Sequence, residues 1–292
     1  AVIGAYESEC TILALPALQS GGLALVSPVN SDPAIAAACA DQGSVLIRLA
    51  PADAAQGTAA AAEAKALGLH RLYVLDGRSE RALRMRGALV TGARSRQVAI
   101  VGDESSPRGA AGVAALVARI RRARADSVWT GAGDGPGVVA LLRALAPGPA
   151  GARSGVKPVV VIGSDALYRE GLLRAAGVAA EGLRLTSGFV PPEALGGAGA
   201  DFVDAYARQF GQPGPYMAYA ADAARLVLAA LRRSDATREG VLHAVLRTRS
   251  YAGLIGKVAI AHDGASTLRQ LAVFQVHAGA FRFERTLDLS RS

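Results

Sequence analysis

The stretch AVIGAYESECTILALPAL (1–18) decides the fold. Val2-Ile3-Gly4 reads as the end of a buried strand, Ala5 to Cys10 as a turn carrying Ser8, and Thr11 to Leu18 as a helix. A strand that passes through a serine turn into a helix is the repeating step of an α/β sheet, whose ligands meet the loops at the carboxyl ends of the strands. A mature chain seldom opens inside its own sheet, so these residues read as the middle of a fold.

Outward from there the same step recurs. Strands are expected at Leu23–Ser27, Ser44–Leu49, Leu72–Leu75, Val98–Gly102, Ser127–Thr130, Val159–Ile162 and Leu183–Thr186. Helices are expected at Gly57–Leu67, Arg81–Gly92, Gly109–Arg124, Gly137–Leu145 and Leu167–Ala175. Strands alternating with helices of this length make βαβ units and a parallel sheet. Unbroken apolar runs such as VVVI (159–162) suit a sheet covered on both faces. The last third changes character: two helices, Ala200–Phe210 and Tyr219–Arg232, precede a β-rich tail at Lys257–Ala261, Gln270–Val276 and Phe281–Glu284. GARSGV (151–156) and PPEALGGAGA (191–200) are the expected joints.

With 292 residues, 51% hydrophobic and 19% charged, the chain has enough apolar surface for one large domain or two ordinary ones. Its net charge of +8 raises nucleic acid as a partner. The densest basic run, ARIRRARAD (118–126), argues against it: Val117 and Ile120 fall on one side of a helical pattern, the arginines form a solvated face, and no aromatic residues interleave. Cys10 and Cys39 either pair in an oxidising compartment or sit as small buried hydrophobes, the second being preferred. No apolar run is long enough to cross a membrane. The start carries no signal peptide, so any export segment would lie upstream.

Catalytic and cofactor motifs fail one by one. GAGDGPG (131–137) sits between a strand and a helix, but the dinucleotide spacing from Gly131 meets Pro136, and from Gly133 it meets Val138. There is no P-loop and no nucleophile elbow. His70, His243, His262 and His277 are scattered, so neither a metal nor a cofactor is expected. An enzyme using Asp165 or Asp134 as base is the weakest reading.

In order along the chain, VIGAYESECTILALPALQSGGLALVSPVNSDPAI, IRLAPADAAQG, GDESSPRGAAGVAALVARIRRARADSVWTGAG, VVVIGSDAL, FVDAYARQFG and YMAYAADAARLVLAAL resemble the periplasmic branched-chain amino-acid binding proteins. The resemblance implies an α/β chain of two Rossmann-like lobes with parallel sheets flanked by helices, the type I periplasmic binding protein fold. Lobe one would comprise 1–50 and 189–270, and lobe two 51–188 and 271–292, with hinge crossovers near 50, 188 and 270. Relatives begin with two further βα units, roughly 60 residues at about 30 per unit. The first lobe is therefore expected to be incomplete at its N-terminus, with an exposed sheet edge, in a molecule longer than 292 residues or covered by something else.

The resemblance also implies a site. Ser8 stands where the family's carboxylate-binding serine lies, with a plain N-cap as the alternative. Ser31 takes the place of the family's second hydroxyl, or else lies in an ordinary turn before a helix capped by Ser31 or Asp32. Val29 and Asn30 lie where backbone groups touch ligand. Asp165 matches the acid that takes the ligand's ammonium, or else caps a helix over 166–175. Arg81 replaces an aromatic wall; it either turns inward to bind a second carboxylate or an aromatic acid, or is simply solvated. A second aromatic wall is replaced by Ala132, Gly133 and Asp134. Tyr219 lies near the cleft or in the core. The function implied is a non-catalytic, extracytoplasmic solute-binding protein. It would deliver an amino acid or related small carboxylate to the permease of an ABC importer. The alternative is a sensor domain of the same fold acting on a regulator or receptor.

Overall fold

The computed structural model describes residues 1–32, 35, 45–107, 109–131, 133, 135–146 and 158–289. The chain divides into two compact units, Ala1–Ala52 with Gly188–Gln270 and Asp53–Ser187 with Leu271–Ser292. The architecture is α/β with mostly parallel sheets and nine α-helices among the described residues.

In the first unit, β1 (Val2–Ile3), β2 (Leu25–Ser27) and β3 (Leu46–Arg48) form a parallel sheet in that order. Helix α1 (Ser8–Ser20) joins the first two and buries Thr11 and Leu15. Leu15, Leu25, Ile35, Val45 and Leu46 form the core beneath it. The far side of β3 is taken by the segment 264–266: Arg48 N–H donates to the Gly264 carbonyl at 2.8 Å, and Ser266 N–H donates back to the Arg48 carbonyl at 2.8 Å. A Cβ on Gly264 would lie 2.0 Å from the Leu46 carbonyl oxygen, so only glycine allows that approach. The expected buried strand at the start is exposed instead, because among the described residues β1 pairs on one side only, with β2; Val2 and Ile3 share this exposure with Ile12 and Leu13 of α1. Cys10 is likewise a free, exposed thiol and not a buried hydrophobe, since it lies on the outward face of α1; Cys39 falls outside the described residues.

The remainder of the first unit is α7 (Ala198–Phe210), α8 (Met217–Arg232), α9 (Arg238–Leu246) and a hairpin of β9 (Tyr251–Gly253) and β10 (Gly256–Val258). Helix α9, capped by the Thr237 hydroxyl, and strand β9 carry too weak a hydrophobic period to be expected from sequence.

The second unit is built on a seven-stranded sheet. Its strands are β4 (Arg71–Asp76), β5 (Ala99–Ser105), β6 (Ser127–Thr130), β7 (Val160–Ser164), β8 (Arg184–Ser187), β11 (Gln270–His277) and β12 (Ala280–Asp288). Their order is β12-β11-β8-β7-β6-β4-β5, parallel from β5 to β8, with β11 antiparallel to β8. Helices α2 (Asp53–Ala66), α3 (Glu80–Ser95), α4 (Val113–Arg122), α5 (Pro136–Leu145) and α6 (Glu170–Ala176) complete it. Trp129, Leu72, Val74 and Ile162 pack against Ala60, Ala61 and Ala64 of α2 and Met85 and Leu89 of α3. The contact between α2 and α3 is close because residue 57 is glycine: a Cβ there would stand 2.0 Å from the Met85 carbonyl oxygen. The helix expected over 109–124 is shorter, starting after Gly112, whose φ of 85° is left-handed. The one expected over 167–175 is broken into a 3₁₀ turn, Asp165–Leu167, and α6. The joint 151–156 lies outside the described residues.

Asp222, buried on α8, accepts the N–H groups of Leu254 and Ile255, both at 2.9 Å, and the Tyr251 hydroxyl at 3.4 Å. It thereby ties the β9–β10 turn to the helix. Burial lifts its carboxyl above the ordinary 3.8, against the opposing pull of the Ile255 and Leu254 amides. The folded state therefore holds this proton more tightly than the unfolded chain. The contribution is fully present below pH 3.8 and is lost as pH rises through the folded value. Asp222→Asn, which cannot ionise, should flatten that stretch of the stability profile in urea unfolding. Asp222→Ala should cost about 2–3 kcal/mol by leaving two buried amides without an acceptor.

Candidate functional site

At the carboxyl ends of β1 and β2 two turns are stitched together. The Ser27 hydroxyl accepts the N–H groups of Asn30 at 3.0 Å and Val29 at 3.4 Å, which folds the chain back after β2. The Asn30 side chain, 2% exposed, then reaches the other turn: its Oδ1 accepts the Thr11 hydroxyl at 2.6 Å and its Nδ2 donates to the Tyr6 carbonyl at 3.4 Å. Ser8, Val29, Asn30 and Ser31 are thus gathered at one end of the first unit's sheet. Asn30 serves there as a strut rather than as a free side chain. Ser8 is the first residue of α1, and the N-cap is Glu7, with no side-chain cap bond. The plain N-cap reading of Ser8 therefore fails, and its hydroxyl makes no hydrogen bond among the described residues. The first-turn amides of a helix carry partial positive charge and lack internal partners. The exposed carboxylates of Glu7 and Glu9 compete for that charge.

The same end holds aromatic residues that the sequence reading passed over. Tyr6, 68% exposed, sets its ring edge-on to Tyr216 at 6.3 Å, and Tyr216 in turn meets Phe189 at 5.1 Å and Tyr219 at 5.9 Å. The available signal was an aromatic side chain in a strand-to-helix turn, off the apolar period. Tyr219 does not join the exposed group. It is 1% exposed, and its hydroxyl accepts the Val190 N–H at 3.1 Å and donates to the Gly188 carbonyl at 3.5 Å. Its place is in the core, holding the segment 188–190. Burial, opposed by the Val190 amide and reinforced by Asp222, pushes its phenol up to about 12.

In the second unit Arg81 and Asp165 come together, and neither stands as a separate site residue. Arg81 Nη2 donates to Asp165 Oδ1 at 2.7 Å and its Nε donates to Asp53 Oδ1 at 2.8 Å. Asp165 Oδ2 accepts Gln56 Nε2 at 2.9 Å, and the Asp165 N–H donates to Gln56 Oε1 at 3.2 Å. Arg81 is therefore not simply a solvated arginine, because two carboxylates hold its guanidinium. Burial works against its charge, but Asp165 and Asp53 outweigh burial and hold its proton more tightly than in a free arginine. Nor does Asp165 cap a helix: Ser164 does so, accepting the Ala166 N–H at 3.4 Å. Asp53 and Gln56 were not anticipated; their signal was polar residues three apart on one face of an alanine-rich helix. Ala132 and Asp134 lie outside the described residues. A cavity of about 330 Å³ in this unit, lined by Leu67, Leu69, Leu142 and Val161, lies at the opposite, amino-terminal end of the strands. Among the described residues no cluster of His, Cys, Asp and Glu could hold a metal, and no helix is long and apolar enough to cross a membrane.

The profile of a family described as periplasmic binding protein matches residues 1–280, and the chain belongs to that family. Its members are solute-binding proteins, not enzymes. Solved structures share the fold. A leucine-binding protein, LivK, from Thermotoga maritima aligns with 100% of this chain and 81% of its own at 20% identity and a TM-score of 0.76. An ABC transporter substrate-binding protein from Desulfitobacterium hafniense, in complex with leucine, aligns with 97% and 80% at 22% identity and a TM-score of 0.78. An ABC transporter solute-binding protein from R. palustris, in complex with benzoate, aligns with 97% and 76% at 16% identity and a TM-score of 0.69. No curated protein gives a significant match.

Two measurements check this geometry. Arg81→Ala removes the cation that Asp53 and Asp165 share, and should lower the urea-unfolding free energy by roughly 2–3 kcal/mol, less than for a fully buried pair because Arg81 is partly exposed. In an alkaline absorbance titration, Tyr219→Phe should remove one tyrosine that ionises at about pH 12.

Proposed function

We propose that this chain is an extracytoplasmic solute-binding protein of an ABC importer and that its ligand is an amino acid or a related small carboxylate. The observation that carries the reading is the Ser8 hydroxyl in the first turn of α1, without a hydrogen bond among the described residues and drawn beside the Val29–Ser31 turn by Asn30. A carboxylate suits that corner because one hydroxyl and the first-turn amides can donate to it together. Exposed Tyr6, backed by Tyr216, supplies an apolar wall for the rest of the molecule.

The neighbours' ligands, leucine in one structure and benzoate in another, support a small carboxylate without choosing among such acids. The chain passes between its units after Ala52, Ser187 and Gln270, and these are the proposed hinge points of a closure that the permease would recognise.

The test is a thermal-shift panel of α-amino acids and small carboxylic acids, followed by calorimetry. At least one compound should raise the Tm and bind with micromolar affinity, about −8 kcal/mol. Ser8→Ala should weaken that ligand about fivefold, the worth of one hydrogen bond, without lowering the Tm of the free protein. A panel without a single shift would remove the reading.

A further inference from the structure

We propose that the amino-terminal end of the second unit's sheet is a basic docking face for an anionic lipid surface. This face is a property of that unit alone and holds whatever solute the chain binds.

The charge of the chain is unevenly shared. The first unit has 10 Lys and Arg against 11 Asp and Glu, and the second has 22 against 13, so the second unit carries +9 and the first −1 of the net +8. Within the second unit topology sorts the charge again. A helix that links parallel strands runs back along them, so helix ends collect at the amino-terminal end of the sheet and helix starts at the carboxyl end. Lys65 ends α2, Arg94 ends α3, Arg121 and Arg122 end α4, and Arg143 ends α5. Acids stand at the starts instead: Asp53 on α2, Glu80 on α3 and Glu170 on α6. Arg71, which opens β4, and Arg124, just before β6, add two more cations at the amino-terminal end, and all seven are exposed.

Hydrogen bonds join several of them into one surface. Arg71 donates from Nε to the Arg124 carbonyl at 2.9 Å and from Nη2 to the Ala123 carbonyl at 2.7 Å. Arg121 reaches the Ala144 carbonyl at 3.5 Å and Arg143 the Ala175 carbonyl at 2.6 Å, which carries the row from α4 across α5 to α6. These partners are neutral carbonyls, and none of the seven cations forms an ion pair among the described residues. The acids at this end are already engaged. Asp126 accepts the His70 and Arg71 N–H groups at 2.7 and 3.1 Å, and Glu181 accepts the Ala278 N–H at 3.3 Å and meets His277 at 3.1 Å.

Cations at helix ends also complement the helix dipole, but that effect acts within the last turn and one charge supplies it. Helix α4 has Arg119, Arg121 and Arg122 in its last turn, with Arg124 beyond it. The surplus repels itself and is relieved only by an anionic partner. The partner is a lipid surface rather than an acidic protein because the face lacks an apolar centre. Val178, 95% exposed, is the large apolar side chain exposed near this end among the described residues. A stable protein interface is built round an apolar core, whereas an anionic membrane needs only a density of cations on one side.

The experiment is co-sedimentation of the whole chain with vesicles of one-third phosphatidylglycerol in phosphatidylcholine, and with vesicles of phosphatidylcholine alone. At about 0.1 M salt the wild-type chain should sediment with the first and not with the second, and about 0.5 M salt should release it. Arg94→Gln, Arg121→Gln and Arg122→Gln together should weaken binding about a hundredfold, at about fivefold per arginine. Arg208→Gln, Arg232→Gln and Arg247→Gln remove the same charge from exposed positions of the first unit, and should change binding by less than about twofold. If the first triple variant does not fold, Arg94→Gln and Arg122→Gln decide singly, each expected to lose about fivefold. Equal sedimentation with both kinds of vesicle overturns the proposal, as do equal losses in the two triple variants. Polyglutamate binding at least as tightly as the anionic vesicles, at equal charge concentration, overturns it in favour of an acidic polypeptide.

Discussion

Helix α2 carries Asp53, Gln56 and Glu63 on one buried face, and the second unit is organised around satisfying them. Glu63 is fully buried and held by Arg184 at 2.7 Å and by Arg285. Gln56 spends its side chain on Asp165 and its carbonyl on the Thr186 hydroxyl at 3.1 Å. Asp53 takes Arg81. An unpaired charge in such surroundings costs more than the alanine-rich helix gains from its propensity. The helix therefore has one acceptable position over β7 and β8, which the glycine at 57 allows it to reach beside α3.

The chemistry at the carboxyl end of this sheet follows from that constraint. Because α2 begins with Asp53 and Gln56, the acid after β7 and the arginine at the start of α3 are bound into one network before any solute arrives. The first unit solves the opposite problem. There the buried amide side chain of Asn30 joins two turns, while the Ser8 hydroxyl has no hydrogen bond among the described residues and the Tyr6 ring, edge-on to Tyr216, stays largely exposed. One unit thus carries an open hydroxyl and an aromatic face, and the other an acid already paired with a partly exposed guanidinium.

Most of the sheet strands were readable in the sequence because their apolar runs are continuous, as at Val128–Trp129 or Val161–Ile162, and burial on both faces demands such runs. Ends were less readable. The apparent helix from Gly109 waits until Gly112 has turned, and the pattern after Asp165 is interrupted by a 3₁₀ turn, since local backbone geometry there overrides hydrophobic period. Strand β1 reads as buried from its composition, but it is exposed because among the described residues only β2 pairs with it.

The sequence by itself determined the class of fold, through apolar periodicity and the order of its strand–turn–helix segments, because burial of repeated faces is a local property of the chain. It also marked Ser8, Arg81 and Asp165 as residues at the ends of strands. Only the tertiary structure decided what they do. Arg81 and Asp165 are 84 residues apart, and Asp53 and Gln56 reach them from a third segment. Whether an acid is vacant or already paired depends on charges brought within about 3 Å by packing, and no spacing along the chain reports that distance.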